Sequence, residues 1–70
     1  MKKIAGYGVN ISYGPQFERL ASFSDERTAK KFYNLMLLSE ETKFGARIDL
    51  EKIYEAGSDY EYEIILKNYN

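Results

Sequence analysis

The residues from Asp49 to Glu63, DLEKIYEAGSDYEYE, hold the densest set of side chains suited to polar chemistry. Six carboxylates (Asp49, Glu51, Glu55, Asp59, Glu61, Glu63) and three tyrosines (Tyr54, Tyr60, Tyr62) stand there with one base, Lys52. The segment carries −5, and the remaining nine basic and five acidic residues carry +4, leaving −1 for the chain. Paired carboxylates are the groups of glycoside chemistry. Acids that alternate along an extended segment, however, are the pattern of a solvated strand face. The chain has no histidine and no cysteine, so the commonest general base, the thiolate nucleophile and the commonest zinc ligands are missing. Gly6-Tyr7-Gly8 with Gly14 is followed by neither a lysine-serine/threonine pair nor a helix, so no phosphate loop or dinucleotide fingerprint is present. Asp49, Glu51 and Asp59 lack the spacing of a calcium-binding loop. The residues predict no enzyme, no cofactor and no metal site, but a polarised surface that meets something basic.

The physics of such a surface is definite. Alternate residues of a strand repeat about every 6.6–6.8 Å, close to the spacing of phosphates along a nucleic-acid strand. Tyrosines between the acids add amphipathic contact area at low entropic cost. Glu51, Glu55, Asp59, Glu61 and Glu63 would supply charge, and Tyr54, Tyr60 and Tyr62 would supply packing, against a lysine/arginine-lined groove that normally holds DNA or RNA. The plainer expectation is that these charges only keep an exposed strand from aggregating. A second class of function comes from Lys2, Lys3, Arg19, Arg27, Lys30, Lys31, Lys43 and Arg47, which with sheet tyrosines suit direct nucleic-acid binding. A pI of 5.4 argues against that footprint. A third is self-association as a homodimer, through a first strand whose second face (Gly6, Gly8, Asn10, Ser12) is nearly free of bulk. Leu35 and Leu38 lie off the main helical stripe and mark either a broader core contact or a small hydrophobic contact patch.

The elements that must position these residues follow from periodicity. Lys3 to Tyr13 alternates, with Ala5, Tyr7, Val9, Ile11 and Tyr13 on one face, which predicts a half-buried strand. Gly14-Pro15-Gln16 breaks it, with Pro15 expected at the second position of a turn, and Phe17 to Phe23 returns as a second strand. Ser24 is the expected helix cap, with Asp25 and Glu26 in the first turn. The helix is expected to run from Asp25 to about Glu41, with Ala29, Phe32, Tyr33, Met36 and Leu37 in one stripe, and to end at Thr42 to Gly45. Ala46, Ile48 and Leu50 open a third strand whose phase slips at Glu51-Lys52, where a β-bulge is expected. The competing reading is a short helix capped by Asp49 and closed by Gly57. Ala56-Gly57-Ser58 turns the chain into a last strand in which Tyr60, Tyr62, Ile64 and Leu66 alternate with Glu61, Glu63, Ile65 and Lys67.

The order β-β-α-β-β predicts an α+β fold, a four-stranded antiparallel sheet with one helix packed on one face. Tyr7, Val9, Ile11, Phe32, Met36, Ile48, Leu50, Ile64 and Leu66 are the expected core. Seventy residues make one small domain, with about 60% of the unfolded chain's surface buried, and the eleven aromatics are its natural anchors. Lys2 and Lys3 imitate the start of a signal peptide, but Asn10 and Ser12 interrupt any apolar stretch of about 7–15 residues. The longest apolar run, Leu35 to Leu38, is far short of the roughly twenty residues that span a bilayer. The expectation is a soluble, cytoplasmic domain with no membrane partner.

In general character the chain resembles the small proteins that bacteriophages and mobile elements use to disable host machinery, anti-CRISPR proteins among them. The resemblance rests on brevity, the lack of catalytic residues, the β-β-α-β-β pattern and the acidic stretch from Asp49 to Glu63. It implies a stoichiometric inhibitor acting in the host cytosol by occupying a nucleic-acid-binding surface of a defence or nucleic-acid-processing protein.

Overall fold

The computed structural model describes residues 2–69, and it is an α+β fold. The strands β1 (Lys3–Tyr13), β2 (Gln16–Phe23), β3 (Arg47–Ala56) and β4 (Asp59–Lys67) form one antiparallel sheet in the order β2-β1-β3-β4. Helix α1 (Glu26–Met36) and a short helix α2 (Glu40–Lys43) connect β2 to β3. Asp49 to Ala56 is strand, so the short-helix alternative for that stretch is overturned. Ile48 to Tyr54 finds neighbours on both sides, β1 and β4, and that pairing outweighs the local capping signal of Asp49.

Two-residue loops close both hairpins. Gly14 and Gly57 take the first central position with φ of 53° and 68°, the placement that glycine alone fills without strain and that suits the right-handed twist of the strands. Pro15 therefore sits third in its turn, not second as expected. Pro15 cannot take the positive φ that the twist demands of the second position.

The predicted single helix divides in two. Asp25, rather than Ser24, is the N-cap of α1: its carboxylate accepts from the Thr28 N–H and hydroxyl, both at 2.9 Å. After Met36 helix α1 stops, because Ser39 and Thr42 hydroxyls donate to the Met36 carbonyl at 2.7 and 2.6 Å. Ser39 then caps α2 by accepting from the Thr42 N–H, a local bond that competes with continued helix. Beyond Phe44 the Ala46 N–H donates to Glu41 O and the Gly45 N–H to Thr42 O, the paired bonds of a Schellman closure with Gly45 left-handed.

Helix α1 lies across β1, β3 and β2. It buries Ala29 and Tyr33 against Tyr7, Val9, Ile11, Ala46, Ile48 and Leu50. Val9, Ile48 and Leu50 are wholly removed from water, each stabilising the fold by about 1.5–3 kcal/mol. Phe32, Met36 and Leu66 pack against this core but remain partly exposed, and the Phe32 ring meets Phe23 at 5.4 Å with a 48° tilt. Ile64 departs from expectation: it is 51% exposed. Leu50 pairs with Leu66 and Glu51 with Ile64, so the extra residue of a bulge is Ile65 on β4. Ile64 and Leu66 share a parity in the sequence, yet the bulge between them turns them to opposite faces. The phase slip read near Glu51-Lys52 on β3 thus belongs to its neighbour. Two further bulges leave Ala5 of β1 and Leu20 of β2 unpaired.

Candidate functional site

Residues paired directly across antiparallel strands share a face. Val9 with Leu50, Ile11 with Ile48 and Leu50 with Leu66 define the helix side. Gly8 with Glu51 and Asn10 with Asp49 lie on the opposite, open side. Following the ladder into β4, Tyr60 (opposite Glu55), Tyr62 (opposite Ile53) and Ile64 (opposite Glu51) continue the open face. Glu61 (opposite Tyr54) and Glu63 (opposite Lys52) continue the helix side. The acidic, tyrosine-rich hairpin is therefore divided. Along β4 the acids and the tyrosines point to opposite sides, whereas across the hairpin Glu55 shares the open side with Tyr60 and Tyr54 shares the helix side with Glu61 and Glu63.

The centre of the open face is closed by polar contacts within the chain. Arg19 crosses from β2 over Gly8, so close that a Cβ on Gly8 would lie 2.5 Å from Arg19 Cζ. Its Nε donates to Asn10 Oδ1 at 2.6 Å, its Nη1 to Ser22 Oγ at 3.0 Å, and its Nη2 forms an ion pair with Glu51 Oε2. Asn10 Nδ2 donates to Asp49 Oδ1 at 2.8 Å, and the Tyr69 hydroxyl donates to Asp49 Oδ2 at 3.2 Å. Asn10 is 1% exposed and Asp49 4%. Every buried side-chain nitrogen and oxygen among the described residues has a partner, as burial of polar groups requires. Burial raises the Tyr69 phenol above its ordinary pKa, and the Asp49 carboxylate adds to the shift. Arg47 and Lys67 place their cationic groups 5.5 and 5.4 Å from the Tyr69 ring, within cation–π range.

This network answers the question raised by the bare face of β1. Gly8 is small because a guanidinium occupies its place. Gly6 is small because a Cβ there would meet the Phe23 carbonyl oxygen at 2.9 Å. Moreover, β1 is an inner strand, bonded to β2 on one side and β3 on the other. Self-association by pairing along its edge is closed to it.

The remaining site residues fall into two groups. Glu51 is buried and its charge is matched by Arg19; it has no free carboxylate to offer a partner. Tyr54 is half-buried and donates to Glu63 Oε1 at 2.9 Å. That bond, followed by burial and the Glu63 charge, raises its phenol pKa. Glu55, Asp59, Tyr60, Glu61, Tyr62 and Glu63 are exposed. Lys2 lies 3.3 Å from Glu61, the one ion pair among the described residues that reaches the Asp59-Glu61-Glu63 row. Tyr60 and Tyr62 are 59% and 58% exposed. Sequence reasoning missed Arg19 and Asn10 as the organisers of the open face. Their signal was the run of small residues at Gly6 and Gly8 on a strand, which marks close approach by something, but the group that approaches Gly8, Arg19, is eleven residues away across a turn.

On the opposite side of the molecule Leu35 and Leu38 are exposed and, with Lys31 and Asn34, line an apolar groove of about 370 Å³. No helix among the described residues is long and apolar enough to cross a membrane. Comparison with protein-family models, curated proteins and solved structures returns no match.

Proposed function

We propose that this protein is a non-enzymatic protein-binding module whose contact element is the outer strand β4 with the turn that feeds it. The observation that supports this most is the pairing of two exposed rows on one edge strand: Asp59, Glu61 and Glu63 on the helix side, Tyr60, Tyr62 and Ile64 on the open side. Helix α1 packs on β1, β3 and β2, and Asp59 to Ile64 of β4 are exposed. Carboxylates on alternate strand residues steer a basic partner at long range, and the aromatic row slows its release. The finer reading is an inhibitor of the phage-encoded, anti-CRISPR kind that occupies a basic nucleic-acid-binding surface. It draws support from the strand spacing of the acids, about 6.6–6.8 Å, which approximates that of phosphates.

A second reading has its own observation. Tyr60 and Tyr62 share the open face with Arg47 and Lys67, a combination suited to stacking and phosphate contact. Buried Asp49 and Glu51 occupy the middle of that face and oppose a polyanion there.

Affinity capture from a lysate of the source cells, with the wild type and with the triple variant Asp59→Lys/Glu61→Lys/Glu63→Lys, tests the reading. The expected result is a basic protein held by the wild type and lost at least about tenfold in the variant, which stays folded because all three sites are exposed. Equal capture by both proteins contradicts it. Recovery of nucleic acid alone favours the second reading.

A further inference from the structure

A partner laid flat on β4 meets only one of that strand's own rows, Asp59, Glu61 and Glu63 on the helix side or Tyr60, Tyr62 and Ile64 on the open side. One geometry uses the two rows together: a strand added to the free edge of β4, which sends alternate side chains to the two sides of the sheet. We infer that β4 receives an extended segment of a partner in which basic residues alternate with apolar or aromatic ones. This rests on the reading of β4 as the contact strand and specifies the chemistry of what binds it.

Three features of the edge carry the inference. First, β4 is an outermost strand, so every second amide and carbonyl along it points away from β3 and lacks a strand partner. Second, Asp59 to Ile64 pairs with β3 in unbroken register and contains no proline, glycine or lysine. The other edge, β2, carries its bulge in mid-strand at Leu20 and commits Arg19 to the open face. Bulges are a usual means of blunting an edge; β4 keeps the longer unbroken stretch, six residues from Asp59 to Ile64 before its own bulge at Ile65, against the four from Gln16 to Arg19 on β2. Third, the two rows fix the occupant. On the helix side three carboxylates have Lys2 as their one ion-pair partner among the described residues, while Lys52 lies inward, opposite Glu63. An incoming base would sit on the outer side of this row. On the open side Tyr60, Tyr62 and Ile64 offer apolar area to every other residue of the same strand.

A second copy of this chain fits poorly. Antiparallel self-pairing centred on Tyr62 would match Tyr60 with Ile64 but set Glu61 against Glu63 twice, and like charges directly opposite are destabilising. The acids thus exclude the copy while favouring a basic strand.

The test uses synthetic peptides of about seven residues, a usual strand length, and fluorescence anisotropy with the intact protein. One peptide alternates lysine with valine and tyrosine. A second has the same composition with the lysines grouped at one end. A third repeats the alternating sequence with methylated backbone amides. The alternating peptide is expected to bind at least about tenfold more tightly than either control, since register and backbone bonding are both required. Equal binding of the grouped or methylated peptide, or no binding by the alternating one, overturns strand addition. The triple lysine variant separates the two levels. If it loses all lysine peptides while the wild type holds grouped and alternating ones equally, β4 remains the contact and strand addition fails. If it binds them as the wild type does, both fail.

Discussion

An alanine at position 8 would put its Cβ 2.5 Å from Arg19 Cζ and force the guanidinium off Asn10, Ser22 and Glu51. Arg19→Ala removes the same contacts directly and leaves the Glu51 carboxylate buried without its cation. Breaking a fully buried pair costs about 3–5 kcal/mol, and Arg19 is a third exposed, so a loss of about 2–3 kcal/mol is expected. Gly8→Ala is expected to cost about 1–3 kcal/mol in the wild type and to stay within about 0.5 kcal/mol in the Arg19→Ala background. Urea denaturation of the four proteins measures this, and simple additivity would show that Arg19 does not depend on the space above Gly8. None of this was legible in the sequence. Alternation identified the face that carries Gly8, but the group that fills it comes from β2, and only the register of the β1–β2 hairpin brings the two together.

At the scale of elements, all four strands were legible because each depends on local alternation, and β1 matches its expected limits, Lys3 to Tyr13. What escaped was set by small competing bonds. The break after Met36 depends on Ser39 and Thr42 hydroxyls, and Ser-x-x-Thr followed the same capping logic that had been read at Ser24. The misplacement of Ile64 came from a bulge, which shifts parity without leaving a compositional mark. The cap of α1 gives a pH prediction. Bonds from the Thr28 N–H and hydroxyl hold the Asp25 carboxyl below its ordinary pKa. Its contribution to stability is therefore complete above about pH 4 and is lost as pH falls through the lower folded value. Asp25→Asn caps as well but does not titrate. Melting temperature against pH should fall less steeply on the acid side for this variant than for the wild type, and parallel acid limbs would remove Asp25 from the account.

For the molecule as a whole, net charge says little and its distribution says more. The chain carries −1, yet Asp49 and Glu51 spend their charges inside, and Asp59, Glu61 and Glu63 form an exposed row along β4. The sequence identified this segment correctly as the polarised one. It could not show which acids and tyrosines share a side of the sheet, because that follows from strand pairing and not from composition. The same row governs self-association. Glu61→Lys would set a base opposite Glu63 in the Tyr62-centred antiparallel pair, turning two repulsions into two attractions. Sedimentation should find this variant dimerising with concentration while the wild type stays monomeric at the same concentrations. A wild type that dimerises through β4 would contradict the exclusion of self.

The most direct measurement is amide hydrogen exchange along the sheet with and without the alternating lysine peptide. Strand addition bonds the outward amides of β4 and no others, so slowed exchange is predicted at every second residue between Asp59 and Ile64, with β2 and the Leu35–Leu38 groove unchanged. Protection of β2 or of the helical groove, with β4 exchanging as in the free protein, would contradict the claim that β4 is where this protein meets its partner.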